Sequence, residues 1–242
     1  MKCIALGVFV SVFAVSVGAQ DEVKPAWTGK LGASYIASSG NTNNSTIGAS
    51  GEASWLVGHF AFSTKSEFLR TTTEREPGAH RVNVVLTAER VIEEKIGFFA
   101  EGSYFEDPPA GTESQFSMSA GAVKHIIRDK RRILDASLSL THVREQRTVA
   151  PHRNFVGVQA GIELQREQNE FLSTEHAASY VHDFVDTRNW RLRVSSSLIV
   201  ALNQRLALKF SSDIYRNKPD VGGSSIDRTM MASLVMRWPP KE

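Results

Sequence analysis

From Trp27 to Trp238 the chain alternates apolar and polar residues with a period of two. In residues 26–38, Trp27, Gly29, Leu31, Ala33, Tyr35 and Ala37 alternate with Thr28, Lys30, Gly32, Ser34, Ile36 and Ser38. In residues 45–56, Ile47, Ala49, Gly51, Ala53 and Trp55 alternate with Thr46, Gly48, Ser50, Glu52 and Ser54. Successive side chains of a strand point to opposite faces, so each run reads as a strand with one apolar and one polar face. The Gly-Asn run between them accepts positive φ, as a hairpin turn requires. Similar runs follow at 60–70, 80–92, 96–105, 115–127, 132–143, 154–165, 171–184, 190–201, 206–215 and 227–238. Their length suits a tilted membrane-crossing strand, which needs about 9–11 residues. The run 171–184 has two readings: one parity turns His176 outward, the other Glu175. The parity with Leu172, Ala178, Tyr180 and Phe184 outward gives the better apolar face.

The connections alternate too. Those at 57–59, 93–95, 128–131, 166–170 and 202–205 are tight, those at 71–79, 106–114, 144–153 and 216–226 are longer, and 39–44 and 185–189 are intermediate. Short turns at one rim and longer loops at the other are the pattern of an outer-membrane barrel. The expected fold is therefore all-β: a transmembrane, antiparallel, up-and-down β-barrel of about twelve strands. A periplasmic β-sandwich fits less well, because its strands are usually about 5–6 residues long. A soluble barrel would share the alternation, but the apolar face here is rich in Ala and Gly, with aromatics near the strand ends.

The chain start adds a location. Lys2 precedes an uncharged apolar run from Cys3 to Val17, and Val17-Gly18-Ala19 offers small residues for cleavage. This predicts a cleaved signal peptide over 1–19 and a single barrel domain over 20–242, exported to the outer membrane of a Gram-negative envelope. Cys3 is the only cysteine, so the exported part has no disulfide and no thiolate metal site. No later stretch is apolar enough for a helical span. The net charge of +2 is spread along the chain, which argues against a nucleic-acid partner.

With the apolar parity facing lipid, Lys30, Glu52, Lys65, Glu67, Arg81, Glu101, Asp135, Glu163, Arg191, Arg193, Lys209 and Asp213 face the lumen, as do Glu89 and Arg237. Both signs are nearly balanced, which fits either a salt-bridged, stiffened interior or a pore whose charges set ion preference. A twelve-strand barrel is near the size that side chains can fill, so a narrow or plugged lumen is expected. Trp27, Trp55, Tyr35, Phe68, Tyr104, Phe116, Trp190 and Trp238 fall on the outward parity as interface aromatics. Arg70 and Arg228, outward near the longer loops, are candidate contacts to lipopolysaccharide phosphates. Arg90 and Lys124 lie outward near the tight turns.

The opening Trp27-Thr28-Gly29-Lys30-Leu31-Gly32, followed by Ser38-Ser39-Gly40-Asn41-Thr42, resembles the YdiY-like family of salt-induced outer-membrane proteins of unknown function. That resemblance implies an outer-membrane barrel and a link to salt or envelope stress, and very little about activity. The expected partners are outer-membrane lipid and lipopolysaccharide and the barrel-assembly machinery, which would read Trp238 on the last strand. Here Pro239-Pro240-Lys241-Glu242 follow it, a departure from the usual ending.

No cofactor, metal or catalytic residue is expected, and the function read is that of a structural or narrow passive-channel barrel. His59, His142, His152, His176 and His182 show no HExxH spacing. The alternative is an outer-membrane lipid hydrolase. It would need a lipid-accessible serine beside an outward histidine near the external rim, and only His142 has suitable parity there.

Overall fold

The computed structural model describes residues 27–38, 44–73, 76–93, 95–149, 151–217 and 225–239. Twelve strands follow one another: β1 (Trp27–Ser38), β2 (Asn44–Val57), β3 (Phe60–Thr73), β4 (Glu76–Glu93), β5 (Ile96–Asp107), β6 (Thr112–Arg128), β7 (Arg132–Arg147), β8 (Arg153–Glu167), β9 (Leu172–Asp183), β10 (Trp190–Ala201), β11 (Leu206–Asn217) and β12 (Ser225–Trp238). Each pairs antiparallel with its sequence neighbours, and β1 also pairs with β12, so the sheet closes into a barrel. Closure leaves no edge strand, as backbone groups in a water-free layer demand. The signal peptide expected over 1–19 lies outside the described residues.

The alternation read along the chain sets which way the barrel faces. Leu31, Met118, Leu138, Leu140 and Met230 stand on its outer surface, 60–74% exposed. Left in water, such a surface would lose about 25 cal/mol for every Å² of apolar area exposed. Against hydrocarbon it is the preferred surface, so this is the build of a membrane-spanning barrel. The opposite parity carries Ser34, Ser119, Ser139, Thr141 and Ser233, all buried. Leu69, Val123, Val143, Phe155, Ile199 and Val235 lie on that inner parity as well, buried among the polar groups. Inside so narrow a barrel, inward side chains pack on one another, so apolar groups are tolerated where alternation alone expects polar ones.

The expectation of long loops is corrected. β3 and β4 stay paired to Thr73–Glu76, β5 and β6 to Asp107–Thr112, and β7 runs to Arg147. Much of 71–79, 106–114 and 144–153 is thus strand. The connection over 216–226 is also shortened, because β11 reaches Asn217 and β12 starts at Ser225; its residues 218–224, like 39–43, lie outside the described residues. The alternation fades there because beyond the lipid both faces meet water. The backbone ladder, which needs only N–H and C=O groups, continues regardless. Register shifts at Thr71/Thr73 and Phe105/Asp107 mark where two such extensions begin.

Three of the tight turns share one device. Asp129 accepts the backbone N–H of Arg131 and Arg132 at 2.9 and 2.7 Å. Asn169 does so for Phe171 and Leu172, and Asn203 for Arg205 and Leu206. Short polar side chains bonding the backbone two and three residues ahead are what closes a compact turn. The β2–β3 turn relies instead on Gly58, whose φ of 59° suits a residue without a Cβ.

Candidate functional site

The lumen is where chemistry-bearing side chains converge. Lys30, Glu52 and Lys65 sit directly across from one another on β1, β2 and β3. Their inward parity lets them reach side chains from strands that are not their neighbours. Lys30 Nζ is 3.1 Å from Glu52 and 3.1 Å from Glu175 of β9. Lys209 Nζ of β11 is 3.0 Å from Glu175 and 3.8 Å from Glu52. This four-member network spans the lumen with side chains only 22–37% exposed.

A second bridge crosses between opposite walls. Lys65 Nζ of β3 lies 3.4 Å from Glu163 of β8, with the side chains 55% and 43% exposed. An ion pair this wet contributes about 0–1 kcal/mol. Glu163 has a further anchor on its own wall, accepting a hydrogen bond from Gln165 at 3.1 Å. Glu101 of β5 lies in the same cavity and accepts from the Thr87 hydroxyl at 3.4 Å.

Toward the loop rim the lumen cations are arginines. Arg81 donates to Asp107 at 2.6 Å and reaches across to the Thr229 hydroxyl at 2.9 Å. Arg191 is buried, donates to Glu145 at 2.6 Å and to Gln115, and lies over the Phe155 ring. Arg193 is 3.7 Å from Asp213. Near the turn rim, buried His125 sits between Asp135 and Glu89 at 2.9 and 3.0 Å. A cavity of about 540 Å³ runs between these levels, bordered by Glu89 and Asp135 toward the turns and by Arg81, Asp107 and Arg191 toward the loops. Glu67 lies on the inward side of β3, across from Ser50 and Asn83.

Four partners of this network were absent from the expected set: Glu175, Glu145, Asp107 and His125. Glu175 sits on the ambiguous ninth strand, with the inward parity that the preferred reading gives it. Glu145 and Asp107 fall in stretches read as loops. His125 shares the inward parity of Val123, the one signal that could have found it.

On the outer surface, aromatics gather at two levels. Trp27 faces Trp55 across β1–β2 and stacks on Trp238, while Trp55 stacks on Phe62. Nearer the loops, Tyr104 faces Phe116, Trp190 stacks on Tyr180, and Tyr35 and Phe68 are exposed. Arg90 lies over Phe60 and Arg205 over Trp238 at the turn level, where an amphipathic side chain reaches the interface. Lys124, also near the turns, is exposed. Arg70 and Arg228 are both exposed, but they stand on β3 and β12, separated by β1 and β2, and so do not form one site.

His142 is exposed, with Nε2 2.6 Å from the Asn154 side-chain oxygen, and across from it stand Met118 and Val156. The serine–histidine contact on the outer surface lies elsewhere, His176 Nδ1 to Ser196 Oγ at 3.1 Å. Leu164 and Ser212 flank that pair across the neighbouring strands, and neither is acidic. Among the described residues no group of three or more His, Cys, Asp and Glu could hold a metal ion.

Comparison with solved structures returns barrels. The NanC porin aligns at 9% identity with a TM-score of 0.50, over 88% of this chain and 98% of that one. An outer-membrane channel from Pseudomonas putida F1 aligns at 9% identity and TM-score 0.47, over 93% and 100%. The translocator domain of the autotransporter NalP from Neisseria meningitidis aligns at 11% identity and TM-score 0.44, over 88% and 86%. At such identity the likeness to the NanC porin speaks for the fold alone. No curated protein sequence matches the chain. The chain belongs to the family described as a protein of unknown function, DUF481, whose model matches residues 31–238.

Proposed function

We propose that this protein is an outer-membrane barrel of narrow passive-channel type, conducting small ions through a lumen too obstructed for larger solutes. The observation that carries the reading is the cavity of about 540 Å³ inside the barrel, where charged and hydroxyl groups share the lining with apolar ones and the Lys65–Glu163 pair meets from opposite walls. Reconstituted into a planar bilayer, the purified protein is expected to give small conductance steps, altered when Arg191 and Arg193 are neutralised, while liposomes exclude disaccharides. A silent bilayer would reduce the protein to a structural barrel.

The outward Arg70 and Arg228 suit phosphate groups of lipopolysaccharide, because a guanidinium offers paired donors to a phosphate. Replacing both with Gln is expected to make release from outer membranes by chelators easier, and unchanged release would remove this role. The link to salt or envelope stress rests on the YdiY-like resemblance. Its check is the amount of protein in the outer-membrane fraction at low and high external salt, and equal amounts would count against it.

A further inference from the structure

The two bridges that cross the lumen differ in a way that bears on which ions pass. The Lys30–Glu52–Glu175–Lys209 network ties each carboxylate to two ammonium groups and each ammonium to two carboxylates. The Lys65–Glu163 bridge has one contact, at 3.4 Å, and its lysine is the more exposed partner. An exposed pair of this kind is weak and is screened by salt, so it parts readily. When it parts, the two sides behave differently. Glu163 is still held to its wall by Gln165, whereas Lys65 is a charge on a flexible four-carbon stem with Glu163 as its side-chain acceptor among the described residues.

Opening therefore swings the cation aside and leaves the carboxylates in place. Glu101 stands in the same cavity with only the Thr87 hydroxyl bonded to it among the described residues, so its charge is not neutralised by an ion pair. We infer that Lys65, Glu163 and Glu101 form the ion filter of this lumen: a movable ammonium in front of two fixed carboxylates, which selects small cations over anions. The inference rests on the channel reading above and deepens it by naming the permeant class. Fixed charges lining a pore set ion preference in this way.

The test is the cation-to-anion permeability ratio in planar bilayers, measured from the zero-current potential across a potassium chloride gradient. The wild-type ratio is expected to exceed one. Lys65→Gln is expected to raise it about twenty-five-fold, because deleting one unit charge about 4 Å from the ion path in water favours a cation about fivefold and disfavours an anion about fivefold. Glu101→Gln with Glu163→Gln is expected to bring it to one or below. Each variant is checked for a folded barrel by its migration on a gel with and without boiling. Where the double variant does not assemble, Glu101→Gln alone, which breaks no ion pair, is expected to lower the ratio. A ratio indifferent to Lys65→Gln and Glu101→Gln in folded protein would overturn the filter while leaving the channel standing. No conductance in the wild type would instead remove the channel, and the filter with it.

Discussion

Glu175 shows how much one lumen residue holds. Its carboxylate receives Lys30 at 3.1 Å and Lys209 at 3.0 Å, from strands four and two places away around the barrel. Neutralising it would leave two ammonium groups sharing Glu52 in a half-buried space. Hydrogen bonds to charged groups contribute about 1.5–3 kcal/mol, so Glu175→Gln is expected to destabilise the barrel by that order. Lys65→Gln, which removes an exposed pair, should cost no more than about 1 kcal/mol. Equilibrium unfolding in denaturant, with detergent present, measures both, and equal losses would refute the ranking. The sequence carried half of this. Parity put Lys30, Glu52 and Lys209 on one face, but Glu175 became their partner only through the closure that sets β9 against β1.

At the scale of the element, strands were legible and only some of their ends were. β10 runs from Trp190 to Ala201 as the alternation predicts, because both of its ends meet clear breaks in the pattern. β7 runs past the predicted Val143 to Arg147, because the ladder outlasts the apolar signal once the strand leaves the lipid. The turns carry a prediction of their own. Asp129, exposed in the turn after β6, has its carboxyl held below the usual 3.8 by the Arg131 amide and the Arg132 side chain and amide. A lowered value in the folded protein means that the contribution is complete above the ordinary aspartate range. It fades as pH falls below 3.8 and through the lower folded value. Asn169 and Asn203 close the sister turns without a charge. Asp129→Asn is therefore expected to keep the turn and flatten this part of the acid dependence, whereas Asp129→Ala loses the turn bonds at every pH. The folded fraction against pH, read from unboiled gels between pH 5 and 2, distinguishes them. Superimposable acid profiles for wild type and Asp129→Asn would contradict it.

At the scale of the whole molecule, the decisive quantity is the width of the lumen. Inward apolar groups such as Leu69, Val143 and Phe155 are buried, and charged groups meet from opposite walls, so the interior is part packed core and part polar passage. That is why the proposed conductance is small and sensitive to single charges. The sequence by itself determined what is local: a period of two, the lipid and lumen faces, the number of strands and the tight turns. These follow from the backbone geometry of each strand and from turn chemistry, and neither needs a distant partner. Only the tertiary structure decided which charges meet. Lys65 and Glu163 are 98 positions apart in sequence, and their contact depends on strand tilt and stagger summed around the closed sheet. An alternating pattern states that a side chain faces inward; it does not state at what height, or what stands opposite.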